Sequence, residues 1–437
     1  MKCERMPKMR TRQLICQVFL LLTCLACVRT MSGGEPSRSA ALKVNINHAW
    51  DVAWTRFFNK QTNLFYDYLS SYQPGRELAH LPTAEEVQRQ FPNPCGYSTG
   101  MEDSMILGGA MLSTIVDMYD VTGNENLKVD IAKVFSGVKL CATIHGVPGF
   151  IARSVGIEDG KSIYINSSRD QYTHCVHGLW KYYHSPLCDQ ATKTEIRTIL
   201  VAIAERMIAN VTSENNFGFL RADGKRCPLG ICRMWNVQPH EAARLPMIYA
   251  AAWDVTGDDR YHKQYRHYLP PAIKQSQQMK DSDPHAAYVY VQVQCSFEVL
   301  HQLEQDPKIK AQLRTLMQQI SKRSVQKLHH ARNALFKADL TMTGPDWRQA
   351  EKWIGQGEYR NPQWGAYRHV WHVIREAGEL SLVPLMEGTV MESDQQQTNL
   401  EAIILKMDYE QCSSCGIIYH LAAYWKARKQ GLFQADQ

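Results

Sequence analysis

The tetrapeptide Asp-Val-Thr-Gly occurs twice, at residues 120–123 and 254–257, and it constrains the fold more than any other feature. Each copy follows an apolar helical stretch (Met105–Tyr119; Leu245–Trp253) and precedes an amphipathic one. A glycine there suits the left-handed turn that ends a helix. The repeat reads as the corner of a helical hairpin used more than once. Apolar residues also recur at helix spacing in 45–58, 102–119, 125–143, 169–184, 191–210, 239–255, 285–304, 307–331, 363–376 and 410–428. Convincing strand patterns are scarce. A second recurring shape, a turn residue followed by apolar and then polar residues, stands at Asn63, Gly149, Gly218 and Asn333. It predicts loops gathered at one mouth of a ring. Repeated hairpins form an array or a closed ring. The count of about six predicts an all-α, single-domain (α/α)6 toroid over residues 43–437.

Composition agrees. A hydrophobic fraction of 44% and a charged fraction of 21% can build a sizeable core. Five of the 49 Lys and Arg residues and one of the 43 Asp and Glu residues fall in 1–27, leaving 44 against 42. So balanced a chain is not expected to bind nucleic acid or an anionic membrane surface.

The first residues belong to another class. Lys2, Arg5, Lys8, Arg10 and Arg12 precede an apolar run of 15 residues, Leu14 to Val28. A basic start and a short apolar run predict an export signal over 1–27. The run ends Leu-Thr-Cys-Leu-Ala-Cys, which allows either ordinary cleavage or lipid attachment at Cys27 or Cys24. Residues 28–42 read as a flexible tether. The expected location is the periplasm, with or without a lipid anchor. Nine of the 13 cysteines lie beyond the signal. Cys412/Cys415 and Cys227/Cys232 are close enough in sequence for local disulfides, or are structural thiols. The spacing expected of a zinc site is absent, and no cofactor or metal is expected.

The inner helices of a toroid should be the more apolar member of each hairpin. Four of them begin with unusual polar residues. Asn93 to Asp103 places two carboxylates before an apolar helix. Thr99 and Glu102 have capping-box spacing, which leaves Asp103 for acid/base work. Around 164–177, Ser168 and Gln171 have the same capping spacing, while Asp170, His174 and His177 share a helix face. Around 234–244, Trp235 precedes Pro239 at a helix start, and His240 and Arg244 converge at i, i+4. Glu241 could instead pair with Arg244 as an ordinary surface bridge. In 358–372, Trp364, Tyr367, Arg368 and Trp371 recur at helix spacing. Aromatic faces stack on sugars and arginines bind carboxylates, although core packing is the commoner fate of any one aromatic residue. Phosphate-binding loops and nucleophile elbows are absent. Carboxylates, histidines, arginines and aromatics together suit acid/base chemistry on an anionic sugar.

These motifs resemble the six-hairpin glycosidase superfamily, nearest to its unsaturated glucuronyl and rhamnogalacturonyl hydrolases. Met101–Leu112 followed by Asp120–Gly123 is similar to the family helix that starts with an acidic pair. The resemblance implies that Asp103 is the proton donor. The loop Gly149–Arg153 falls at the mouth of those enzymes, and Ser168–Tyr172 falls where they carry an Arg-Gly motif. There Asp170 replaces glycine and Tyr172 replaces tryptophan. Related β-glucuronidases share the scaffold.

The leading expectation is a hydrolase of uronic-acid-containing oligosaccharides. Asp103 donates the proton and Asp170 serves as base or water positioner. Arg153, Arg169, Arg244 and Arg368 are candidates for the uronate carboxylate, and Trp364 and Trp371 for stacking. A polysaccharide lyase or sugar epimerase would rely on His174, His177, His240 and Tyr172. A non-catalytic glycan-binding lipoprotein is the third reading.

Overall fold

The computed structural model describes residues 37–280, 285–344, 346–349, 365–386 and 394–433. The export signal, Cys24, Cys27 and Trp364 lie outside the described residues. The chain is predominantly helical. Helix α1 is Arg38–Val52, α2 is the short Ala84–Gln88, α3 is Ser104–Thr122 and α4 is Leu127–Thr143. Then follow α5 (Arg169–His184), α6 (Gln190–Asn210), α7 (Arg244–Thr256) and α8 (Asp259–Ser276). Helices α9 (Ala287–Leu303), α10 (Pro307–Lys337), α11 (Gly365–Met386), α12 (Asp394–Lys406) and α13 (Ile417–Lys429) complete the chain. The described strands are Phe58–Asn59 and Leu64–Phe65, an antiparallel hairpin after α1.

Six helices form an inner ring. Helices α3, α5, α7, α9, α11 and α13 each pack on the next, and α13 packs back on α3. Their partners α4, α6, α8, α10 and α12 lie outside. The sixth outer place is taken by α1, which packs on α12 and α13. The expected (α/α)6 ring is therefore observed, with its last hairpin assembled from α13 and α1.

Residue patterns explain the two layers. Along α3 nearly every residue from Ser104 to Val116 is buried, because an inner helix has neighbours on all sides. Outer helix α8 buries one stripe, Tyr261, Tyr265, Leu269, Ala272, Ile273 and Ser276, as an amphipathic helix should. Each large apolar side chain so buried contributes roughly 1.5–3 kcal/mol over exposure. Both Asp-Val-Thr-Gly copies end helices as predicted: Gly123 caps α3 at φ 60° and Gly257 caps α7 at φ 71°. Helices α3 and α5 touch backbone to backbone. A Cβ on Gly109 would stand 2.2 Å from the His174 carbonyl oxygen, and one on Gly178 would stand 2.5 Å from that of Gly109. Only glycine permits this approach.

Several expectations are corrected. The tether does not extend to residue 42. Ser37 caps α1, and Leu42 and Ile46 are buried, so residues 38–42 belong to the ring. Helix α12 has no counterpart in the apolar periodicity, because Leu400, Ile403 and Ile404 are the main apolar residues it buries. The Asn333 segment is not a mouth loop but the last turn of α10. The nine described cysteines are thiols. No described helix is long and apolar enough to cross a membrane.

Candidate active site

A cleft of about 300 Å³ opens at the N-terminal ends of the inner helices. Its walls carry Asp103, Arg153, Arg169, Asp170, His240, Arg244, Arg368 and Trp371. All eight come from the sequence-derived candidates, drawn from five separate stretches of chain. The ring brings them together.

Asp103 is the N-cap residue of α3, yet its side chain makes no capping bond. It accepts instead from neighbouring elements. Arg375 Nη1 donates to Oδ2 at 2.7 Å. Oδ1 receives Gln171 Nε2 at 3.2 Å and Arg153 Nη2 at 3.5 Å. One oxygen is firmly held and the other is loosely contacted. Neither expected capping box forms. Glu102 accepts from the Ser98 and Gly100 amides and from the Tyr68 hydroxyl, which ties down the loop ahead of α3. Burial, and then the Asp103 charge, push Glu102 up to about 7. Gln171 reaches over to Asp103 rather than back to Ser168.

Asp170 lies in the first turn of α5, with Arg244 of α7 donating to Oδ1. Burial works to raise its pKa, but Arg244 and Arg169 bring it below the ordinary carboxylate value. Arg244 also donates to Gln292 Oε1 at 2.7 Å. The alternative Glu241–Arg244 bridge is not formed. Glu241 pairs with Arg169, whose Nη1 also donates to the Gly230 carbonyl at 2.5 Å.

Arg153 stands over the Tyr97 ring, its guanidinium 4.7 Å from the centroid. It is buried, and its Nε and Nη1 have no hydrogen-bond partner among the described residues. Leaving charged donors unpaired in the interior is costly. Arg368 is exposed at the mouth, and its described hydrogen bond is to His372 at 3.4 Å.

The charged wall residues Arg375, Glu376 and Glu379 of α11 are not among the sequence-derived candidates, and His372, which closes the 358–372 motif, stands beside them. With Arg368 they follow helix spacing, so a polar stripe down an otherwise apolar helix was the available signal. Arg375 bridges Asp103 to Glu379, donating to the latter at 2.7 Å. Burial pushes Glu379 up to about 7 against the pull of Arg375. Burial lowers His240 and His372 to about 4, so both imidazoles are neutral at pH 7. Tyr288, 38% exposed, adds an aromatic face at the rim.

Five candidates lie elsewhere or outside the description. His174 and His177 sit one and two turns below Asp170 and border a second, lower cavity of about 20 Å³. Burial and then His177 bring His174 down to about 3. His177 bonds to Glu298 at 2.7 Å. Tyr367 is buried, donating to the Ser413 carbonyl at 2.7 Å. Trp235 packs on Tyr268, ring centroids 4.7 Å apart, away from the cleft. Trp364 is outside the described residues. Tyr172, named for the lyase or epimerase reading, is also buried away from the cleft, donating to the Gly149 carbonyl at 3.0 Å.

The floor of the ring is a closed charge network. Asp117 receives Lys181 at 3.0 Å, Lys426 at 2.8 Å and Lys429 at 3.0 Å. Glu298 joins through His177 and, at 3.5 Å, Lys426. No cluster of three or more potential metal ligands occurs among the described residues.

No family model matches the chain, and no curated protein matches it. Among solved structures it is similar to a sugar epimerase from a ruminal bacterium, at 11% identity and TM-score 0.44, covering 82% of this chain and 85% of that one. It is also similar to an α-1,6-mannanase from Salegentibacter sp., at 10% identity and TM-score 0.42, covering 90% and 100%. A D-mannose isomerase matches at 12% identity and TM-score 0.37, covering 66% and 88%.

Proposed function

We propose that this chain is a carbohydrate-active enzyme that hydrolyses uronic-acid-containing oligosaccharides at the cleft described above. The observation that carries the reading is Arg153, a buried cation on the wall of the cleft with two unpartnered nitrogens, next to the loosely held oxygen of Asp103. A sugar carboxylate would complete Arg153, with Arg368 at the mouth as a second donor, because guanidinium groups match carboxylates in charge and geometry. Asp103 then transfers the proton through Oδ1. Asp170, held ionised by Arg244, orients the attacking water. Trp371 and Tyr288 supply apolar surface for the ring faces of the sugar. Two carboxylates in unlike environments are what acid/base hydrolysis needs.

The test is incubation of purified protein with unsaturated glucuronyl and galacturonyl disaccharides, following the vinyl-ether absorbance. Its decay, abolished in Asp103→Asn, supports the reading. Unchanged absorbance, with saturated glucuronides also left intact, refutes it.

The neutral imidazoles of His240 and His372 favour a second reading, epimerisation. A neutral histidine can take a proton from carbon and return it. Incorporation of solvent deuterium into recovered sugar, without cleavage, would mark that reaction.

A further inference from the structure

Cys227 and Cys232 belong to the loop that follows Gly218, which is tied back by a bridge between Gly218 and Arg233. Cys232 Sγ donates to the Ser167 carbonyl at 3.3 Å, with Cys227 near it. Both line a surface pocket of about 240 Å³ together with Arg226 and Arg233. Cys227 is half-buried and Cys232 is buried, so a reagent in that pocket meets Cys227 first. The other close pair, Cys412 and Cys415, is buried on both sides and presents no such approach.

The loop also builds the cleft. Ile231 stands on the cleft wall. The Gly230 and Arg233 carbonyls both accept from Arg169 Nη1, and Arg169 in turn holds Glu241. The loop thus fixes one side of the site through backbone atoms, a job that depends on its holding one conformation.

We propose that Cys227 and Cys232 are a site of oxidation, closing to a disulfide that locks this loop against Arg169. The chemistry is thiol–disulfide exchange with an external disulfide, which an oxidising compartment supplies. Cys227, as thiolate, attacks one sulfur of that disulfide and releases the other as a thiolate. Cys232, as thiolate, then displaces the second sulfur. One S–S bond forms in the loop and one breaks in the oxidant. The two cysteines lose two electrons, and their two protons end on the two thiols released. Closing so short a ring removes freedom from the open loop. Cys95 is also near Cys232 and is the competing partner.

Trypsin should release residues 227–233 as one peptide, because Arg226 precedes it and Arg233 ends it. It carries both cysteines and no other. The full chain is treated with oxidised glutathione, alkylated with iodoacetamide, digested and weighed, with a fully reduced sample beside it. The expected result is an unalkylated peptide lighter than the reduced form by two hydrogens. The oxidised protein should show slower amide exchange over 226–233 and a higher Tm, and both differences should vanish in Cys227→Ser. A peptide joining Cys232 to Cys95, a glutathione adduct stable on Cys227, or two alkylated thiols would each overturn the proposal. So would a disulfide that leaves amide exchange of the loop unchanged. None of these readings depends on the reaction the cleft performs.

Discussion

The two ends of the ring axis hold their charges in opposite states. At the floor, Asp117 is matched by three ammonium groups within 3.0 Å, and Glu298 is matched by Lys426 and His177. At the mouth, Arg153 keeps two nitrogens without a described partner and Asp103 keeps a loosely held oxygen. A closed network rigidifies the ring. An unfinished one points to a ligand, because buried polar groups are otherwise nearly always satisfied. The inner helices run from mouth to floor, so both ends are made from the same helices and differ only by three or four turns.

Substitutions should separate the ends. The largest effect is expected from Asp103→Asn, with turnover of a uronide per folded molecule falling about 100- to 10,000-fold. Near-normal turnover would remove Asp103 from the chemistry. At the floor, Asp117→Asn should cost about 3–5 kcal/mol of stability, read by urea unfolding, because the buried ammonium groups of Lys181 and Lys426 lose their counter-charge. Activity per folded molecule should survive. An Asp117→Asn protein that is stable but inactive would erase the distinction between the ends.

Arg153→Met should raise KM about 10- to 100-fold and leave kcat nearly intact, since it removes recognition rather than proton transfer. It should not lower Tm, because the wild-type guanidinium is incompletely paired. A lost fold would mean that Arg153 is structural.

The smallest effect is a pH dependence of opposite sign at the two ends. Asp117 and Glu298 are held below their ordinary values of 3.8 and 4.5, burial notwithstanding, by the lysines around them. Their contribution is present in full above about pH 4.5 and is lost as pH falls below it. Glu379 is raised from 4.5 to about 7 by burial. It stabilises the fold when protonated, and that contribution fades as pH rises from 4.5 to 7. Glu379→Gln should therefore reduce the slope of the Tm profile between pH 4.5 and 7, leaving the share of Glu102, without moving its acid limb. A shifted acid limb would contradict the assignment.

The same contrast explains what the sequence made legible. The hairpin corners were readable because a glycine must follow each helix. The mouth residues were readable where they stand at helix starts, as with Asp103, Asp170, His240 and Arg244. Depth along the axis was not. His174 and His177 share a face with Asp170, but each helical residue descends about 1.5 Å, which drops them toward the floor. Conversely, Arg375 and Glu379 start no helix and so drew no notice, although they complete the cleft from mid-helix. Tyr367 followed the usual fate of aromatic residues and is buried, and half-buried Trp235 packs against the core. Helix α12 was missed because Gln-rich sequence hides an outer helix that buries only one narrow stripe.

The pairing of α1 with α13 has a consequence for synthesis. Asn45 of α1 donates to the Ile404 carbonyl of α12 across 359 residues, and Arg375 reaches Asp103 across 272. A chain emerging from the ribosome makes Asp103 early, but the arginine that holds its Oδ2 comes only with α11. Contacts this distant in sequence form slowly. Until α12 and α13 emerge, the apolar stripe of α1 lacks the helices it packs on. The nascent chain is then an open arc with an apolar leading edge, and the cleft is complete only when the arc shuts.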